Sequence, residues 1–118
     1  MLSINDFDHI YVHRQYVDFR KSINGLSIIV QEEMELDPFS KCLFIFCNQH
    51  RNRMKILYWD NSGYALWYKR LEKEKFAWPK HETKEVITIT TEQLEWLLKG
   101  YSFWRMKAHK KLQFDNVF

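Results

Sequence analysis

A chain of 118 residues, 46% hydrophobic and 28% charged, has room for one core and not two, and its make-up is globular rather than disordered. Its net charge of +3 is unevenly spread: Lys and Arg number three against seven Asp and Glu in residues 1–40, nine against three in 41–80, and six against five in 81–118. No apolar stretch approaches eighteen residues and no charged-then-apolar leader is visible, so a cytoplasmic protein without a membrane partner is expected.

In chain order, residues 9–13 (His-Ile-Tyr-Val-His) are β-prone and predict a first strand. A helical pattern opens at Asp18, a candidate N-cap, because Phe19, Ile23, Leu26 and Val30 fall at spacings of four, three and four. Gly25 within that helix costs about 1 kcal/mol relative to Ala, which suggests close approach of another backbone. Glu32, Glu33 and Glu35 oppose the helix dipole, and Asp37-Pro38 ends the helix.

Three strands are expected to follow as a meander. Residues 42–47 are uniformly apolar and predict a central strand covered on both faces. Cys42 and Cys47 would point to opposite faces of it, unable to pair or to share a metal. Residues 54–59 and 64–69 alternate more clearly, joined by the hairpin turn Asp60-Asn61-Ser62-Gly63. The loop 48–52 projects His50, Arg51 and, at its edge, Arg53. Residues 86–89 form one more β run. Thr90 and Gln93 make a capping box for a short helix with Leu94, Leu97 and Leu98 as its buried stripe, and Gly100 sits at its C′ position. The tail 101–118 is basic in its first half and has no clear period.

Sites of chemistry are scarce. His9 and His13 could share a strand face, but His50, His81 and His109 are scattered and no metal motif is present, so no metal or other cofactor is expected. No nucleophile elbow or phosphate-cradling loop occurs, and both cysteines lie in a core strand. Nor is any pocket for a small-molecule substrate indicated. A metal-dependent nuclease needs converging carboxylates. Asp18, Asp37 and Asp60 are the candidates, yet each has a simpler task as a helix cap, a residue before proline and a turn residue. No catalytic residue is assigned.

The basic segment coincides with an aromatic one. Arg51, Arg53, Lys55, Lys69, Arg70, Lys73 and Lys75 could neutralise phosphates, and Trp67 or Tyr58 could stack on bases. The same alternation also suits a half-solvated sheet, and Glu72 and Glu74 dilute the field around Lys73 and Lys75.

Several segments together resemble the small accessory proteins, often called TnpB, of the insertion sequence 66 family of bacterial mobile elements. They are Asp18-x-Arg20-Lys21-x-Ile23-x-Gly25-Leu26, Asp37-Pro38-Phe39-Ser40, Leu43-Phe44-Ile45-Phe46 before Asn48, and Lys55-Ile56-Leu57-Tyr58-Trp59-Asp60. Gly63, Tyr68-Lys69-Arg70-Leu71, Phe76-x-Trp78-Pro79 and Leu94-x-x-Leu97-Leu98-x-Gly100 continue the match. The resemblance spans roughly residues 9–100, with Lys41 in place of a usual glycine and Gln49-His50 in place of a more basic pair. It implies a non-enzymatic role in supporting transposition, beside a larger transposase and another small protein of the same element.

The expectation is therefore one α+β domain over residues 1–118: a mostly antiparallel β-meander sheet, one main helix packed on it from Asp18, and a second short helix near the C-terminus. The strands and loop around residues 51–75 are expected to contact element DNA, the transposase or both, and nucleic-acid contact is assigned to Arg20, Lys21, Arg51, Arg53, Lys55, Trp67, Lys69 and Arg70. Arg20 and Lys21 would hold a phosphate at the first helix's start, unless Arg20 is instead an ion-pair partner of Asp37 or Asp60. The alternative function is a protein-only adaptor for the transposase, with Trp67, Trp78 and Trp104 forming an apolar interface.

Overall fold

The computed structural model describes residues 4–79, 83–102 and 104. It is an α+β fold built on a five-stranded sheet: β1 (His9–His13), β2 (Cys42–Cys47), β3 (Arg53–Trp59), β4 (Tyr64–Arg70) and β5 (Val86–Ile89). Helix α1 (Ile23–Glu32) joins β1 to β2, and α2 (Thr91–Leu98) follows β5. The spatial order is β4-β3-β2-β1-β5.

β2, β3 and β4 form the expected antiparallel meander, with Ile45 opposite Ile56 and Ile56 opposite Trp67. β1 lies parallel to β2, as a strand–helix–strand crossover allows, and β5 closes antiparallel on β1. β2 is the middle strand and all six of its residues are buried. Its side chains alternate between two cores. Leu43, Ile45 and Cys47 join Met54, Ile56, Ile87 and Leu94 of α2 on one face. Cys42, Phe44 and Phe46 join Leu57, Leu26 and Val30 of α1 on the other. The two cysteines are free and on opposite faces, as their spacing predicts.

The main correction concerns where α1 begins. The helix starts at Ile23 with Ser22 as its N-cap, four residues after the predicted cap Asp18. Asp18 instead closes a turn: its Oδ1 accepts the Arg20 N–H at 2.9 Å and its carbonyl accepts the Lys21 N–H at 3.0 Å. Phe19 still packs on the α1-side core, so the apolar spacing continues past the point where the helix stops. Gly25 also differs from expectation. A Cβ there would sit 3.1 Å from the Lys21 Cβ, so the glycine makes room for a side chain of the preceding turn and not for a neighbouring backbone.

α2 follows its sequence signals closely. Thr90 accepts from the Gln93 N–H while Gln93 accepts from the Thr90 N–H. At the far end Gly100 has φ +83°, and the Gly100 and Tyr101 N–H groups reach the Leu97 and Trp96 carbonyls in a Schellman motif. The hairpin turn departs in one detail. The left-handed residue is Asn61 (φ 77°), Asp60 Oδ1 accepts from the Ser62 and Gly63 N–H groups, and a Cβ on Gly63 would meet open space. The tail beyond Trp104, with its run of basic residues, lies outside the described residues, as do Lys80 and His81.

Candidate nucleic-acid interface

Two connections face each other at one end of the sheet. The first runs from β1 to α1. The second is the β2–β3 loop, which Asn48 organises: its Oδ1 accepts from the Asn52 and Arg53 N–H groups and its Nδ2 donates to Asn52 Oδ1 at 2.7 Å. Arg51 in this loop has φ 58°, and its carbonyl takes the Phe76 N–H. Trp78, buried beneath, donates its indole N–H to the Arg14 carbonyl at 2.8 Å and so fixes the first connection.

Between them lies an open groove of about 1000 Å³. Arg14, Arg20, Arg53 and His50 line it with the half-apolar surfaces of Tyr16 and Trp78, and Asp18 is the single carboxylate among its described lining residues. That carboxylate is already paired, since Asp18 Oδ2 accepts from Arg20 Nη2 at 2.6 Å. These hydrogen bonds hold the Asp18 carboxyl down to about 2. Arg20 therefore pairs with Asp18 and with neither Asp37 nor Asp60, while its side chain stays 91% exposed. The groove thus keeps a net positive charge with an exposed aromatic, Tyr16, on its rim.

The eight residues expected at a DNA surface do not lie together. Arg20 and Arg53 line the groove, and Lys21 and Arg51 flank it on the same two connections. Arg70 stands directly opposite Arg53 across β3 and β4 and pairs with Glu72 at 2.9 Å. Lys55 is buried: its Nζ donates to the Phe19 and Lys21 carbonyls at 3.0 and 2.9 Å and sits over the Phe19 ring. Burial, and then the Arg53 charge, hold its pKa below the ordinary lysine value. Lys55 is thus a strap that pins the Arg20 turn against β3. Trp67 and Lys69 point to the opposite face, where Trp67 packs on the α2-side core and Lys69 Nζ donates to the Leu98 carbonyl. Tyr58, the other stacking candidate, is buried edge-on against Phe7.

The other constellations read from sequence resolve as well. Asp37 accepts the Phe39 N–H, and Asp60 holds the hairpin turn, so with Asp18 each of the three carboxylates secures a local turn. Burial pushes the Cys47 thiol up to about 12, which leaves it inert at neutral pH. Of the three tryptophans expected at an adaptor surface, Trp78 is buried, Trp67 is half-buried against the core, and Trp104 donates its indole N–H to the Ala77 carbonyl. Phe39, in contrast, is exposed and set against Trp59 and Tyr64 with ring centroids 5.0 and 5.5 Å away. A separate group, His13, Glu33 and Glu85, brings one imidazole and two carboxylates together and is the metal-competent cluster among the described residues.

Sequence reasoning missed Arg14 and Tyr16. Both lie in the acidic first third of the chain, where charge counted along the sequence hides the arginine that the fold carries to the basic loop. No helix among the described residues is long and apolar enough to cross a membrane.

A five-stranded sheet with a helix on each face carries, among the described residues, a basic groove of the kind that binding proteins present. Residues 8–108 match the family described as "IS66 Orf2 like protein", and the chain belongs to that family, which places it among accessory proteins of this class of insertion sequence. It is 34% identical to the uncharacterized protein y4jC of Sinorhizobium fredii, over 83% of each chain. It is 32% identical to y4hO of the same organism, over 81% of this chain and 82% of that one. No solved structure matches it.

Proposed function

We propose that the chain supports transposition without catalysing it, by holding the sugar–phosphate backbone of element DNA in the groove between the 14–20 connection and the 48–53 loop. The observation that carries this reading is the convergence of Arg14, Arg20 and Arg53 on one open groove, where Asp18, the one carboxylate among the described lining residues, is already paired with Arg20. Arginine suits phosphate oxygens because its planar donor fork matches them two at a time. Tyr16 on the rim supplies a face for an unpaired base. Lys21, Arg51 and Arg70 extend the field around the groove. Asp18, Asp37 and Asp60 are each held in a turn, which supports a non-catalytic role.

The test is fluorescence anisotropy on labelled terminal-repeat DNA and a scrambled duplex across several salt concentrations. Log affinity should fall by about 0.9 per phosphate contact per log unit of salt, and Arg20→Ala or Arg53→Ala should each lower that slope by about 0.9. Preference for the terminal repeat would make the contact sequence-specific. Absence of binding at low salt would overturn the proposal and leave the transposase, or the other small protein of the element, as the partner. That adaptor reading has its own support in the exposed Phe39 ring and the Trp59 and Tyr64 rings beneath it.

A further inference from the structure

His13 ends β1, Glu33 caps the C-terminus of α1, and Glu85 immediately precedes β5. One donor atom from each lies within 4.8 Å of the others. The ligands are 20 and 52 positions apart along the chain, so no local motif signals them.

The imidazole decides the chemistry. His13 is 1% exposed, and its Nδ1 lies 2.9 Å from the Gln15 carbonyl oxygen. A carbonyl only accepts, so Nδ1 carries a proton. In the neutral ring Nε2 is then a bare lone pair, and it faces Glu33 Oε1 at 3.2 Å, which is also an acceptor. The His13 edge is buried while Glu33 is half exposed, and two lone pairs facing each other at this distance need a positive centre between them, a proton or a metal ion. A proton would serve His13 and Glu33 alone, whereas a metal ion would also take up the Glu85 carboxylate, which has an oxygen within 4.8 Å of both. Glu33 also lies at the negative end of the α1 dipole, which favours a cation there.

We infer that His13, Glu33 and Glu85 bind a divalent transition-metal ion of the zinc type, which staples β1, α1 and β5 together. Two ligands each about 2.0–2.1 Å from a tetrahedral zinc are about 3.3 Å apart, close to the His13–Glu33 separation. A ring N–H donated to a backbone carbonyl is the usual second contact of a ligating histidine, since it fixes the tautomer and aims the other nitrogen. With an imidazole as the buried donor, the site favours zinc, cobalt or nickel over magnesium or calcium, which prefer all-oxygen shells. Gln15, whose carbonyl orients His13, lines the basic groove, so the ion would also steady one groove wall.

The test uses the full chain stripped of metal with a chelator, then titrated with Zn2+ by calorimetry and with Co2+ by visible absorption. The expected result is saturation at one ion per chain, a Co2+ ligand-field band and a raised melting temperature. Glu33→Gln and Glu85→Gln replace exposed carboxylates and should fold normally. Each should weaken binding by about tenfold or more, the scale of loss known even for outer contacts. His13→Gln should remove binding. A folded protein that takes up no Co2+ or Zn2+, or that binds with the same affinity after Glu85→Gln, would overturn the site.

Discussion

Replacing Lys55 by Met tests whether a buried ammonium holds the turn that presents Arg20. Lys55 is 9% exposed, and its two hydrogen bonds go to the carbonyls of Phe19 and Lys21. Hydrogen bonds to a charged group contribute about 1.5–3 kcal/mol each. Against that stands the cost of burying an ammonium, effectively several kcal/mol per ion, which the methionine does not incur. The lowered lysine pKa has burial as its first cause, so this opposing effect is active here. Phe19 is half-buried and Lys21 exposed, so water can replace part of what their carbonyls lose. The net expectation is a loss of about 2 kcal/mol, well short of the sum of two charged hydrogen bonds. For a chain of this size that is a fall of about 6–10 °C in melting temperature and about 1 M in the urea midpoint, with an unchanged m-value. Urea unfolding followed by tryptophan fluorescence measures it. A midpoint within error of the wild type would refute the strap, because the carbonyls would then be equally well served without Lys55.

Three further outcomes follow from the same geometry. Asp18 has a folded value of about 2 against an ordinary 3.8, so its pairing with Arg20 stabilises the fold above pH 3.8 and is lost as pH falls through 2. The Asp18 carboxyl carbon should titrate near 2 by NMR, and Arg20→Gln should return the midpoint toward the ordinary value. Gly100 at φ +83° should tolerate alanine poorly, with a loss of about 1–2 kcal/mol in thermal unfolding and a smaller one for Gly100→Asn. Cys47, with its thiol pushed up to about 12, should resist iodoacetamide at pH 8 in the folded protein and react in urea, as peptide mass spectrometry would show.

How much of this was legible in the sequence depends on how local each cause is. The α2 caps were readable because Thr90, Gln93 and Gly100 act within one turn of the helix they bound. The central place of β2 was readable because a run of six apolar residues has nowhere else to go. The start of α1 was not, since the carbonyls that leave the helix at Phe19 and Lys21 are taken by Lys55, more than thirty residues away. The site residues divide by the same rule. Lys55 and Arg53 look alike in sequence, but they sit two apart on a strand, where one ammonium is captured under the 18–21 turn while the other side chain reaches the groove. Trp67 and Arg70 are three apart, so the pleat sends them to opposite faces.

The placement of Arg53 opposite Arg70 bears on why this end of the sheet is built as it is. Like charges directly opposite across two strands disfavour the pairing. One glutamate, Glu72, offsets one of them in an exposed ion pair, a contact of little net stability. Folding alone would be served as well by a threonine or a tyrosine at either position, since both are exposed. The β2–β3 loop beside them is also costly, with Arg51 in a left-handed conformation that arginine rarely adopts. Like charges set opposite each other and a left-handed arginine meet at this end of the sheet, a local departure from what stability alone favours. A polyanion seated among Arg14, Arg20 and Arg53 would relieve the repulsion that the free protein carries. Bound DNA should therefore stabilise this end of the molecule first, and hydrogen exchange should slow earliest at residues 48–53 and 14–20. Uniform slowing across both cores would instead mean that the groove is not where the charge is answered.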